Sequence, residues 1–196
     1  MRTYFSIHRR FSRDAFKLKV NYPIGEIRDT LALDSPEATP KGFLDSFSYT
    51  SSPGTVFEDM LSNDIGWNIF SPRLVKLLSE CRNSQDIELL LLPQNACRLH
   101  PLLREYRVLG VKREIPCIDV GESDLHWEDI PDGGKYIAAV YECVLREKAI
   151  PEDIDIFRLT EYPVVPVISS RLAAAFAEFS PTGFVFHTIK AVTHQE

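Results

Sequence analysis

Apolar and polar residues alternate at the start of the chain, over residues 3–8 and again over 15–20, with the period of two that half-buried strands require. A polar turn separates the two stretches, which predicts a hairpin or a pair of edge strands. From residue 21 to about residue 63 the period fades among Pro, Ser, Asp and Thr. Phe43, Leu44, Phe47, Tyr49 and Phe57 still give this stretch apolar groups to bury. It therefore reads as a long ordered excursion with short elements, since a disordered linker would be poorer in aromatics.

Regular patterning resumes with a short strand at 66–70 and a helix over 71–80. Ser71 stands where an N-cap belongs, Pro72 where a missing N–H costs nothing, and Leu74, Val75, Leu77 and Leu78 form one stripe. Residues 86–93 read as a buried strand stopped by Pro93, and 106–111 and 115–119 as two more strands. An acidic loop follows over 119–134. Residues 136–145 suit a helix or a strand, and their β-branched and aromatic content tips them to strand. A short strand over 154–159 leads into the last unit. There, a strand at 164–168 runs into a helix capped by Ser169, with Leu172, Ala175 and Phe176 on one face; a turn at 180–183 then leads to an alternating strand over 184–189. Ser-Pro-Arg-Leu (71–74) and Ser-Ser-Arg-Leu (169–172) are one helix start used twice, and Arg73 and Arg171 read most simply as exposed first-turn residues. The expected fold is α+β: a mixed, mainly antiparallel sheet with two strand-helix-strand units packed on it. One domain spans 1–196, with N-terminal strands and the excursion over 1–65 and the main body over 66–196.

Composition narrows the class. The 196 residues, 44% hydrophobic and 26% charged, suffice for one substantial core. The longest apolar runs fall far short of the roughly 20 residues needed to span a bilayer, so no membrane helix is expected. The N-terminus turns basic before an apolar signal core develops, which predicts no cleaved leader and a cytoplasmic protein. Cys81, Cys97, Cys117 and Cys143 are scattered, with no pairing or zinc-ligand spacing, and read as buried free thiols.

The net charge of −6 is unevenly spread. Residues 1–23 carry six bases against Asp14, while residues 114–155 carry twelve acids against Lys135, Arg146 and Lys148. An acidic face repels phosphates and attracts basic partners, which argues against nucleic-acid binding by that region.

No phosphate loop, dinucleotide fingerprint, nucleophile elbow or zinc-protease helix occurs in usable form, so no cofactor is expected. Asp132-Gly133-Gly134 reads as a hairpin turn. The best candidate site is the acidic run with Asp119, Glu122, Asp124, His126, Trp127, Glu128, Asp129 and Asp132. Carboxylates beside a histidine suit metal or acid–base work, but the run has no recognised ligand register. A plain solvated loop is the simplest reading of the run, and Trp127, an aromatic flanked by charge, adds weight to a partner-binding surface beside it. His187 should share a face with Val185, opposite Phe184 and Phe186, which suits a surface or inter-element hydrogen bond.

Several features then come in a telling order: Ser71 to Leu74, Leu92-Pro93, Tyr106 to Leu109, Asp119 with Ser123, the run 150–159, and finally 169–186, whose Ser-x-Arg-Leu is followed by Thr-Gly-Phe-x-Phe. In this order, over about residues 67–189, the chain resembles an immunity-protein family of bacterial polymorphic toxin systems. The resemblance implies a non-enzymatic, cytoplasmic protein that binds and neutralises a cognate toxin domain, with no catalytic residues to carry over. It also supports a strand over 136–145. Two alternatives stand beside it: a small metal-dependent hydrolase using Asp119, Asp124, His126 and Glu128, and an unrelated protein-binding adaptor.

Overall fold

A computed structural model describes residues 2–21, 37–130 and 133–193. The early part of the excursion, Asp132 and His194 lie outside the described residues. In chain order the elements are β1 (Tyr4–Arg10), β2 (Lys17–Asn21), β3 (Ser48–Ser52), β4 (Ser62–Asn63), β5 (Ile69–Phe70), α1 (Pro72–Ser79) and β6 (Ile87–Leu91). There follow α2 (Gln94–Cys97), β7 (Arg107–Val111), β8 (Glu114–Ile115), β9 (Asp124–Asp129), β10 (Lys135–Glu142) and β11 (Val144–Arg146). β12 (Ile156–Leu159), β13 (Val167–Ser169), α3 (Ser170–Ala177) and β14 (Gly183–Val192) complete the set. The fold is α+β with mixed, mostly antiparallel strands. No helix among the described residues is long and apolar enough to cross a membrane.

The two strand-helix-strand units are present, but they enter different sheets. In the first, β5 and β6 flank β7 and are both antiparallel to it, and Met60 bridges Phe70 on the outer side. In the second, β13 and β14 flank β1 and are both antiparallel to it, with β12 on the outer side. Each unit is thus two parallel strands joined by a helix and split by an inserted strand, in the same spatial order. The inserted strand of the first unit is the next one along the chain; that of the second is the N-terminal strand. The expectation of an N-terminal hairpin or edge strands is therefore corrected. β1 lies inside a six-stranded sheet of order β11-β14-β1-β13-β12-β8, and β2 lies between β3 and β4 in another. Alternation in 3–8 hid this role, because Tyr4 on one face and Phe5 and Ile7 on the other all find apolar cover. Residues 86–93 are corrected too: β6 is a half-buried edge strand with Leu91 exposed.

Side-chain alternation divides the interior into three layers. Phe70, Leu109, Ile156, Ile168 and Phe184 point to a central cluster, where Leu74 and Leu78 of α1 meet Leu172 and Phe176 of α3. Their alternates on the first unit, Ile69 and Val108, face a cluster built with the excursion residues Leu44, Phe47 and Tyr49, as the aromatic content of that stretch implied. Those on the second unit, Tyr4, Phe157, Val167 and Ile189, face a cluster supplied by residues between 115 and 154.

A pair of buried aspartates joins the units. Asp59 takes the Ser71 hydroxyl at 2.8 Å and both Nε and Nη2 of Arg73, while Asp155 takes the Ser169 hydroxyl at 2.8 Å and the same two groups of Arg171. Each also accepts from the loop after the other unit's helix: Asp59 from the Thr182 N–H at 2.9 Å and the Thr182 hydroxyl at 3.1 Å, Asp155 from the Arg82 N–H at 2.7 Å. Arg73 and Arg171 are thus ion-paired anchors, although each remains partly exposed. The Ser71 hydroxyl is spent on Asp59 and makes no cap bond, whereas Ser169 also accepts from Leu172 N–H. The turn at 180–183 earns its glycine twice, since Gly183 has φ +87° and a Cβ there would lie 2.3 Å from the Met60 carbonyl oxygen.

Burial alone would raise the Asp59 carboxyl; hydrogen bonds from Arg73, the Thr182 N–H, Ser71 and the Thr182 hydroxyl overcome it and hold the carboxyl down to about 2. The folded pKa lies below the unfolded one, so the stabilisation is complete above the ordinary range near 3.8 and is lost as pH falls towards 2. Urea unfolding should show Asp59→Ala and Asp155→Ala each losing about 1–3 kcal/mol, because each leaves a seryl hydroxyl at the helix entry and a backbone N–H without their acceptor. A loss under about 1 kcal/mol would contradict the anchoring role. In acid titration, Asp59→Asn should flatten the decline in stability between about pH 4 and pH 2 relative to the parent.

Candidate functional site

The acidic run forms a strand and a turn where a loop was expected. β9 and β10 pair as a two-stranded antiparallel ribbon that, among the described residues, is joined to no other sheet. Such a ribbon is marginal by itself in water, and its anchor is an inward face. Ile137 is buried, with Leu125 and Val140 packed beside it against the third core cluster. The alternating charges that made 124–129 look like loop are the polar face of this ribbon, and charged side chains suit a strand with a free edge.

The ribbon distributes the candidate residues unequally. His126, Glu128 and Tyr136 share one face: the Tyr136 hydroxyl donates to Glu128 at 2.6 Å, and His126 Nε2 lies 3.7 Å from the same carboxylate. The Tyr136 phenol is pushed up by that hydrogen bond first and by the carboxylate's charge next. Trp127 and Asp129 belong to the opposite face, where Trp127 sits across from Ile137 yet stays 40% exposed. Asp124 is exposed at the start of β9 and Glu122 in the turn before it. Asp119 organises that turn, its Oδ1 accepting from the Gly121 and Glu122 N–H groups at 3.2 Å, and Ser123 exchanges hydrogen bonds with the backbone of Val144. Asp119, Asp124, His126 and Glu128 do not converge: among the described residues no group of three or more His, Cys, Asp or Glu side chains is placed to hold a metal ion.

A second feature was not legible beforehand. Where the third cluster stops covering the six-stranded sheet, a cleft of about 400 Å³ opens beside the root of the ribbon. Ser6, His8 and His187 form part of its floor, and Tyr141, Glu142 and Cys143 part of its wall. His8 and His187 stack with ring centroids 4.2 Å apart and planes at 17°, and His8 Nε2 lies 2.8 Å from the Ser6 hydroxyl oxygen. Burial first, and the charge of His187 second, hold His8 below the ordinary histidine range. The alternation around His187 placed it correctly on the face of Val185. Its partner comes from the other end of the chain, because β1 pairs with β14.

The cysteines are free, with Cys81, Cys97 and Cys117 buried and Cys143 half-buried. Burial, and then the charge of Glu161, push the Cys117 and Cys143 thiols up to about 12 and about 11. Neither resembles an activated nucleophile, whose pKa is lowered.

In comparison with known proteins, no family model matches the chain, and no curated protein matches it significantly.

Alkylation with iodoacetamide at pH 8 should leave Cys117 and Cys143 largely unmodified in the native protein and label both after denaturation, as read by intact mass. Native labelling of Cys143 at the rate of a free peptide thiol would contradict the raised pKa.

Proposed function

We propose that the protein is a non-enzymatic, immunity-like binder that neutralises a cognate toxin domain in the cytoplasm of the cell making both, using the β9–β10 ribbon as its contact. One observation carries this reading: a ribbon that joins no other sheet among the described residues exposes aromatic side chains on both faces, Trp127 beside Asp129 on one and Tyr136 beside Glu128 on the other, with Tyr141 and Glu142 at the end of β10. Large aromatic anchors ringed by charge are the make-up of an interface hot spot. The surplus of carboxylates favours a basic partner and accelerates encounter with one. The ordered resemblance to toxin-immunity proteins supplies the biological role.

Co-expression with the toxin domain encoded beside this chain should restore growth and yield a co-purifying complex. The variant Trp127→Ala/Glu128→Lys should weaken that complex by about a hundredfold or more, with a slower on-rate and an unchanged fold by circular dichroism. Absence of protection and of any complex would defeat the reading. Undiminished binding by the variant would remove the ribbon from it.

A further inference from the structure

We propose that the cleft beside the ribbon seats one basic side chain of the partner, the guanidinium of an arginine; this deepens the partner-binding reading and rests on it. Position is the first argument. Val140, Tyr141 and Glu142, which end β10, also line the cleft, so a protein lying along the ribbon has the cleft mouth beneath it. Size is the second. A cleft of about 400 Å³ accommodates a single long side chain, in the lower part of the range for small-ligand sites.

Charge and surface chemistry select the guest. Glu142 lies in the wall, and Glu161, outside the cleft lining, adds negative charge behind the wall residue Cys143. One carboxylate oxygen of Glu161 is buried with no hydrogen-bond partner among the described residues. The stacked His8–His187 pair and the rings of Tyr141 and Tyr162 offer flat π surfaces, on which a planar guanidinium stacks better than a compact ammonium. Burial holds His8 below the ordinary histidine range, which disfavours a positive charge on this part of the floor. Lys190 is the opposing group, an exposed cation that also lines the cleft. Its presence makes the sign of the guest testable.

The probe is N-acetyl-arginine methylamide added to the full chain, with the neutral citrulline and the anionic glutamate counterparts as controls, followed by NMR of the His8 and His187 rings. The arginine probe should bind about tenfold more tightly than either control. Glu142→Gln should erase that preference, and Lys190→Gln should tighten arginine binding. Glu128→Lys, in the outer part of the ribbon, should leave the His8 and His187 response intact, which separates this site from the ribbon contact. Equal binding of citrulline, weaker arginine binding in Lys190→Gln, or no response to any probe would overturn the proposal. Arginine binding that survives alongside failure to form a toxin complex would sustain the cleft and defeat only the toxin reading.

Discussion

The arrangement turns on two buried carboxylates, Asp59 and Asp155. Each satisfies the Ser and Arg at the start of its own unit's helix, and each takes an N–H from the loop that leaves the other helix. Asn83 reinforces the second, accepting from the N–H groups of Asp155 and Ile156 and donating to the Ile156 carbonyl at 2.7 Å. The backbone follows the same pattern, with the Ser71 N–H on the Asp59 carbonyl and the Ser169 N–H on the Asp155 carbonyl, both at 2.8 Å. A buried ion pair often adds little net stability over apolar packing, but a half-satisfied one is costly. Such an interaction therefore specifies geometry more than it adds stability. Any other docking of α1 on α3 would leave a carboxylate, a guanidinium and several amides short of partners.

The second constraint is closure by the N-terminus. β1 completes the sheet of the last unit by pairing along its whole length with β14 and over Tyr4 to Ser6 with β13, contacts separated by more than 150 residues in sequence. Arg2 secures the start of that strand, its side chain reaching the carbonyls of Glu147 and Ile150 and the Glu147 carboxylate. The basic N-terminus and the acidic middle of the chain thus meet in the fold, so part of the charge imbalance between them is internal pairing. Contacts of such separation carry a large loop-closure cost and form late or slowly. The first unit, with its inserted strand supplied locally, has no such handicap.

Local signals were legible where local physics decides. Ser71-Pro72 and Ser169 begin helices within a residue of the expected positions, Gly183 closes the turn, and the strand reading of 136–145 holds as β10 and β11. The repeated Ser-x-Arg-Leu start was visible too, but its meaning was not. Arginine in a first helical turn is usually solvated, and the acid that claims it lies 14 residues before Arg73 and 16 before Arg171, in a bend that precedes another extended segment. A faint trace does exist, an aspartate followed by two apolar residues at 59–61 and at 155–157. The acidic run misled for a different reason. Loops and the outer strands of an isolated ribbon share a polar composition, and only the alternate burial of Leu125, Ile137 and Val140 tells them apart. The cleft was invisible because it depends on β1 meeting β14, a matter of topology.

The residues singled out by their order along the chain have structural duties. Ser71, Arg73 and Arg171 belong to the aspartate anchors. Leu92 is core, the Tyr106 hydroxyl bonds the Glu58 carbonyl at 2.8 Å, and Asp119 and Ser123 shape a turn. Asp155 in the 150–159 run and Gly183 in the closing motif are likewise structural. Each of these residues thus has a scaffold duty that packing, turning and hydrogen bonding explain without a partner. Trp127, Tyr136, Tyr141 and Glu142 lie outside those features and have little packing role to explain them. The ribbon and the cleft wall can therefore be substituted without disturbing either aspartate, so the proposed partner contact and the fold are separable by mutation.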